Sequence, residues 1–246
     1  MTEPHSEDLL HIYPDAQSLC QACAEHICRR IAPGDQQPFH LALSGGSTPR
    51  SLYQRLATAP YRETLTGNPV HFWFGDERAV PPDHPDSNYR MARETLFEPL
   101  GIPAERIHPM RPLPEAMPGA ASAYERELEQ CLDKNDQGLP RFDLVLLGLG
   151  PDGHTASLFP DTDALEERHH WVTPVYVDKL ASWRLSLSFP VLEAARERLF
   201  LVAGAGKADV IRQLFIEHRP LPAGRLLPSA DTFWFLDQAA ARELSS

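Results

Sequence analysis

The chain lacks the long apolar runs and the positive charge that mark several classes of protein. No apolar run approaches the about 20 residues of a membrane-spanning helix. Residues 1–15 are acidic and lack the apolar core of a signal peptide. Lys and Arg total 23 against 34 Asp and Glu, which gives a formal charge of −11 with no basic stripe. These absences predict a cytoplasmic protein that binds neither membrane nor nucleic acid.

Cysteine is also sparse, with four residues in 246. Cys20 and Cys23 form a CxxC pair, but no second ligand pair accompanies it, and both fall at helical spacing with neighbouring apolar residues. Reduced cysteines in such a pattern pack as small hydrophobes. HExxH and paired CxxC patterns are absent, so no zinc enzyme is indicated and we expect no metal site.

The sequence argues against three well-known catalytic or nucleotide-binding motifs. Residues 148–153 fit GxGxxG, but Pro160 leaves no room for the long helix that a dinucleotide fingerprint opens. His154 stands where a phosphate-binding P-loop needs lysine. No GxSxG elbow is present, which argues against a hydrolase with a serine nucleophile on an elbow of this type.

Apolar runs alternate with helical patterns along the chain, which is typical of an α/β fold. We expect a doubly wound, mostly parallel, Rossmann-like sheet with helices on both faces, forming a single domain over residues 1–246. Helices are expected between the strands, among them 191–197 and 207–217. The predicted strands are 39–43, 70–74, 142–147, 184–188, 199–203 and 232–235.

Polar segments follow three of these strands directly, where ligands bind in such sheets. The Ser44–Thr48 turn has two glycines, and Ser47 or Thr48 can cap the helix that follows. A helix N-terminus there offers N–H groups to an anion such as phosphate, although an ordinary capped turn is the alternative. His154 beside Asp152 suits a general base with an orienting partner, unless it is a solvated loop histidine.

Charged residues also lie at the ends of predicted strands and helices. Asp76, Glu77 and Arg78 follow a strand and can bind sugar hydroxyls or polarise a carbonyl. Arg184 begins a strand and Lys207 opens a helix, so either can supply charge to a phosphate. Ion-paired or solvated surface residues are the alternative interpretation for each.

Taken together, these segments resemble the 6-phosphogluconolactonase family, within the glucosamine-6-phosphate deaminase/isomerase-like superfamily. The matching stretches are LALSGGSTP at 41–49, FGDERAVPPDHPDSNY at 74–89 and LVLLGLGPDGHTASLFP at 144–160. Weaker matches lie at 184–195, 203–208 and 221–228. The resemblance implies a fold of the sugar-phosphate isomerase/deaminase type. It also implies hydrolysis of 6-phospho-D-glucono-1,5-lactone to 6-phospho-D-gluconate in the oxidative pentose phosphate pathway, without a cofactor.

The resemblance further implies a role for each matching residue. His154 is the base that activates water, and Asp152 and Asp76 orient His154, the water or the sugar. Arg78 stabilises the developing oxyanion or helps to hold the phosphate. The residues expected to bind the 6-phosphate are Ser44, Gly45, Gly46, Ser47, Thr48, Arg184 and Lys207.

Two other functions are compatible with this fold type. Deaminases of the superfamily carry a glutamate five residues after the loop histidine, whereas this chain has Phe159 there. Non-catalytic sugar-phosphate sensors usually carry a helix-turn-helix, for which the short acidic N-terminal segment leaves no room. A lactonase is therefore favoured, and we expect a monomer because no large exposed apolar stripe is evident.

Overall fold

The computed structural model describes residues 9–31, 37–227, 229 and 231–244. Both limits of the predicted domain, 1 and 246, and Pro228 of the 221–228 match lie outside these ranges. The strands are β1 (Leu10–Tyr13), β2 (Phe39–Leu43), β3 (Val70–Phe74), β4 (Asp76–Arg78), β5 (Leu144–Leu147), β6 (Val172–Val177), β7 (Ser182–Leu187), β8 (Arg198–Val202) and β9 (Thr232–Asp237). The α-helices are α1 (Ala16–Arg30), α2 (Ser47–Leu56), α3 (Tyr61–Gly67), α4 (Asn88–Ala92), α5 (Glu98–Leu100), α6 (Met117–Cys131), α7 (Phe189–Ala194), α8 (Ala208–Phe215) and α9 (Gln238–Ala241).

The main sheet has six strands in the order β1-β9-β8-β5-β2-β3, and every neighbouring pair is parallel. From β2 the chain moves outward to β3, whereas from β5 it moves the opposite way through β8 to β9. Right-handed crossovers in opposite directions place helices on opposite faces. The predicted doubly wound, mostly parallel fold is confirmed, and the strand order reverses between β2 and β5.

The central strands carry the core. All residues of β5 and β8 are buried, as expected for parallel strands covered on both faces. Helix α1 is amphipathic, and its buried positions include Cys20 and Cys23. Asp15 caps this helix by accepting from the backbone N–H of Ser18 at 2.7 Å. Both thiols are free, so the CxxC pair packs in the interior as predicted.

A second sheet of three antiparallel strands, β4-β7-β6, lies beside the first. The prediction that 184–188 belongs to the parallel β–α alternation was wrong, because β7 pairs antiparallel with β4 and β6. Strand β4 has only three residues, all charged, and β6 contains Pro174. A run of charges and a proline within a segment both argue against a strand, which explains why β4 and β6 escaped prediction.

The helix expected at 191–197 ends three residues early, as α7. The cause is the buried guanidinium of Arg198, whose Nη1 donates to the carbonyl oxygens of Leu192, Glu193 and Ala195 at 2.8–3.2 Å. These bonds satisfy the last carbonyls of the helix and stop it there. Among all the residues that the structure describes, no helix combines the length and apolar character needed to cross a bilayer.

Candidate active site

One cavity of about 220 Å³ lies beyond the carboxyl ends of β2 and β5, where the strand order reverses. A cavity of this size suits a small polar ligand. Eight of the residues predicted from the sequence line it. The full lining is Ser44, Gly45, Gly46, Asp76, Arg78, Gly148, Leu149, Gly150, Pro151, His154, Ala156, Arg184 and Lys207.

The remaining predicted residues lie nearby. Asp152 contacts His154 from behind the cavity wall. Ser47 and Thr48 face a neighbouring cavity lined also by Gly204, so the structure does not bring them to His154. Neither caps α2: the N-cap residue is Gly46, with φ of 110°, and no side chain makes the capping bond. The capping prediction was therefore wrong, because the glycine conformation already turns the chain into the helix.

A buried tyrosine holds the first loop, residues 44–46. The hydroxyl of Tyr53 accepts from the backbone N–H of Ser44 at 2.9 Å and donates to the carbonyl of Ser44 at 2.7 Å. Because α2 carries Tyr53, the helix fixes the turn that leads into it. The backbone at 44–46 is thereby preorganised at the cavity wall.

The second loop, 148–155, folds tightly around His154. Gly150 donates to the carbonyl of His154 at 2.8 Å, and the Thr155 hydroxyl donates to the carbonyl of Gly148 at 2.9 Å. A Cβ at Gly150 would collide with the His154 imidazole, so this position requires glycine. Asp152 Oδ1 lies 2.5 Å from His154 Nδ1. A carboxylate acceptor there keeps the proton on Nδ1 and leaves the Nε2 lone pair free to act as a base.

The imidazole is stacked on an aromatic ring. Phe159 lies parallel to His154, with a centroid distance of 3.9 Å and an interplanar angle of 26°. Burial lowers the pKa of His154, against an opposing influence of the Asp152 carboxylate. Burial raises the pKa of Asp152, but hydrogen bonds from Lys179 and His154 outweigh it and bring the value to about 2. The pair is therefore a neutral imidazole beside an ionised carboxylate at pH 7.

The opposite wall comes from the small sheet. Asp76 is 5% exposed, and its Oδ2 accepts from the Ser157 hydroxyl at 2.6 Å. Asn88 Nδ2 donates to the Asp76 backbone carbonyl at 2.9 Å and to its carboxylate Oδ1 at 3.4 Å. These bonds fix the Asp76 carboxylate at the cavity, as one wall of the site rather than as a partner of the imidazole nitrogen.

Glu77 has a different position from the one the sequence indicated. It points away from the cavity and accepts from the backbone N–H groups of Arg78, Asn88 and Tyr89 at 2.8 Å and from the Ser87 hydroxyl at 3.0 Å. Ser87 caps α4, and its hydroxyl accepts from the backbone N–H of Arg90 at 3.1 Å. Glu77 thus anchors the start of α4, and the sugar-binding role considered for it does not fit this position.

Three cations face the same cavity. Lys207 donates to the Leu149 carbonyl at 2.6 Å, and Arg78 donates from Nη1 to the Asp86 carbonyl at 2.6 Å. Burial lowers the pKa of Lys207 and of Arg184. Within the part of the chain that the structure describes, the buried Nε atoms of Arg78 and Arg184 have no hydrogen-bond partner. The guanidinium groups of Arg78 and Arg184, which line the cavity, can donate to an anionic ligand there.

The arrangement combines a base with an anion-binding wall. His154 can take a proton from a water while the arginines and lysine hold a phosphate or a developing oxyanion. Among the described residues, no three His, Cys, Asp or Glu side chains are placed to share a metal ion. Sequence reasoning missed the contacts of Ser157, Asn88 and Lys179. The first two lie in the matching motifs, whereas no motif points to Lys179.

Comparison with known proteins agrees with this geometry. The family model described as glucosamine-6-phosphate isomerases/6-phosphogluconolactonase matches residues 14–234. A 6-phosphogluconolactonase of Nostoc sp. is 37% identical over 241 residues, covering 96% of this chain and 98% of its own. The human 6-phosphogluconolactonase is 38% identical over 252 residues, with 96% and 94% covered. The crystal structure of 6-phosphogluconolactonase from Leishmania guyanensis has a TM-score of 0.85 at 31% identity, with 96% and 98% covered. The chain belongs to the family of glucosamine-6-phosphate isomerases and 6-phosphogluconolactonases.

Proposed function

We propose that this protein hydrolyses 6-phospho-D-glucono-1,5-lactone to 6-phospho-D-gluconate, a step of the oxidative pentose phosphate pathway. One observation carries the proposal: a His154–Asp152 pair faces a cavity whose other walls carry Arg78, Arg184 and Lys207. The names of the relatives support the choice of substrate.

In this mechanism His154 Nε2 removes a proton from water as the water oxygen attacks the lactone carbonyl carbon. The tetrahedral oxyanion collapses, the bond to the ring oxygen breaks, and the imidazolium returns the proton to that oxygen. General-base catalysis of this type contributes about 10²–10⁴-fold. A δ-lactone is an activated ester, so no covalent nucleophile is needed. Asp152 holds the imidazole and stabilises its charge during the step.

The cations divide between two tasks. Lys207, Arg184 and the backbone at 44–46 hold the 6-phosphate, whose binding energy orients the distant carbonyl. Arg78 stabilises the oxyanion or shares the phosphate, and Asp76 orients the water or the sugar hydroxyls. Preorganised donors aimed at a developing oxyanion contribute as much as the base, or more.

We also propose a domain organisation, an oligomeric state and a cellular location for this protein. Both sheets contribute walls to one cavity, which supports a single α/β domain over residues 1–246. We infer a cytoplasmic monomer that needs no cofactor or metal and binds no nucleic acid, in keeping with the free thiols and the charge of −11. Size-exclusion chromatography with light scattering measures the oligomeric state, and a dimer mass would overturn that part.

The first experiment follows hydrolysis of freshly generated 6-phosphogluconolactone through coupled 6-phosphogluconate dehydrogenase, with spontaneous opening subtracted. Glucosamine 6-phosphate is tested in parallel for ammonia release. We expect lactone hydrolysis well above background and no ammonia, because Phe159 supplies no carboxylate for amino-sugar ring opening. Ammonia release alone would establish a deaminase instead. Binding of 6-phosphogluconate without turnover of either substrate would establish a sensor.

A further inference from the structure

A lysine from the small sheet reaches the group that holds the catalytic histidine. The β6–β7 hairpin turns through residues 178–181, with Ala181 at φ of 43°. From this turn Lys179 Nζ donates to Asp152 Oδ2, while His154 Nδ1 engages Oδ1 of the same carboxylate. Lys179 Nζ also lies 5.0 Å from the ring centroid of Phe159, on which His154 stacks. Lys179 therefore contacts both groups that hold the imidazole.

We propose that Lys179 is a positioning residue for the hydrolysis, acting on His154 through Asp152; the inference rests on the proposed function. A carboxylate with a hydrogen-bond donor on one oxygen alone can rotate about its Cβ–Cγ bond and exchange its oxygens. With a partner on each oxygen, the plane of the Asp152 carboxylate is fixed and so is the direction of the Nδ1 bond. The Nε2 atom of His154 is then held toward the cavity.

Two other roles for Lys179 fit the geometry less well. Lys179 is not among the residues that line the cavity, so it is not placed as a phosphate ligand like Lys207. Its side chain is 55% exposed, and ion pairs with one partner so exposed contribute little to stability. The hairpin position matters instead, because the same small sheet carries Asp76, Arg78 and Arg184. Lys179 links that wall of the site to the loop of the base.

The charge of Lys179 has a predictable effect on the base. His154 is faced by Asp152, Asp76 and Lys179, and Arg78, Arg184 and Lys207 line the same cavity. The two carboxylates raise the pKa of His154, whereas Lys179 lowers it. Removing Lys179 leaves the Asp152 charge less compensated, so protonated His154 is favoured. The acidic limb of the kcat/KM profile then moves to higher pH.

The test compares Lys179→Met with Lys179→Arg and with a matched control, Lys134→Met. Lys134 also pairs with a carboxylate, that of Glu129 at 2.7 Å, and also lies over an aromatic ring, that of Trp171 at 5.3 Å. It shares no contact with the site. The pKa of His154 is measured by NMR titration, with the resonance assigned by its loss in His154→Gln. The pH profiles are measured on 6-phosphogluconolactone and on unphosphorylated gluconolactone.

For Lys179→Met we expect the pKa of His154 to rise by about half a unit and the acidic limb to follow it. We expect kcat to fall about tenfold on both lactones, since a misdirected base affects both alike. Lys179→Arg restores most of both, and Lys134→Met changes neither. An unmoved pKa of His154 would overturn the inference, as would a rise in KM confined to the phosphorylated lactone. If the wild-type protein hydrolyses neither lactone, the proposed function fails, while the NMR titration still decides whether Lys179 acts on His154.

Discussion

A buried histidine cluster far from the cavity predicts how stability depends on pH. His40 on β2 accepts from Trp73 Nε1 at 3.0 Å through its Nδ1. His71 Nδ1 and His108 Nε2 lie 2.9 Å apart, and His108 Nδ1 lies 2.6 Å from a Glu127 carboxylate oxygen. His40 is 7% exposed. Burial, and then the two other histidines, lower the pKa of His40 to about 4.

The sign of the effect follows from which state binds the proton first. The pKa of His40 is about 6.5 in the unfolded chain and about 4 in the folded protein. As pH falls through this window, the unfolded state gains the proton first, so the free energy of unfolding decreases. The full effect is roughly 3 kcal/mol, of which about 2 kcal/mol is lost between pH 7.5 and pH 5. Above pH 6.5 the contribution is fully present.

The substitution His40→Asn isolates the contribution of His40 to the pH dependence of stability. Asparagine retains an acceptor near the position of Nδ1 for Trp73 but does not titrate. Urea unfolding followed by tryptophan fluorescence at pH 7.5 and pH 5 measures the loss of stability in each protein. We expect the wild-type protein to lose about 2 kcal/mol more than His40→Asn over this range. His169→Asn, at an exposed site, should lose as much as the wild type. An equal loss in His40→Asn and wild type would refute the assignment.

Three further predictions concern the site and its support. His154→Gln should lower kcat for lactone hydrolysis about 10²–10⁴-fold in the coupled assay, with the urea midpoint unchanged; near-normal turnover would exclude His154 as the base. Lys207→Met should raise KM about tenfold or more for the phosphorylated lactone and leave unphosphorylated gluconolactone almost unaffected, whereas equal effects on both would exclude a phosphate contact. Glu77→Gln should destabilise the fold by about 2–3 kcal/mol in urea unfolding, because a neutral amide weakens three bonds from buried backbone N–H groups.

The parts of the site that could be predicted are those encoded locally. Ser44–Gly46 and Gly148–His154 each follow an apolar parallel strand, and the topology of such sheets brings their ends together. Asp152 and His154 are two residues apart on one tight turn, so their contact needs no knowledge of the rest of the fold. Local spacing and strand order were sufficient for this half of the cavity.

The rest depends on contacts that are distant in sequence. Ser157 binds Asp76 across 81 positions, and Lys179 binds Asp152 across 27. Both contacts exist because the small antiparallel sheet lies beside the main one, and two of its three strands, β4 and β6, could not be predicted from their sequences. Ser47 and Thr48 begin α2 and line the neighbouring cavity, and their phosphate-binding role stays a prediction.

Phe159 links the local chemistry to the choice of reaction. Its ring centroid lies 3.9 Å from that of the His154 imidazole, and the phenyl ring helps to bury the imidazole, which favours the neutral, basic form. A glutamate at this position, as expected in a deaminase, would add a negative charge and favour the imidazolium, a form suited to donating a proton in ring opening. Water attack on a lactone needs the opposite state at the start of the cycle, a neutral base beside an ionised orienting carboxylate. The stacked phenyl ring and the Asp152 partner together produce that state, so the same loop that resembles both kinds of enzyme is set here for hydrolysis.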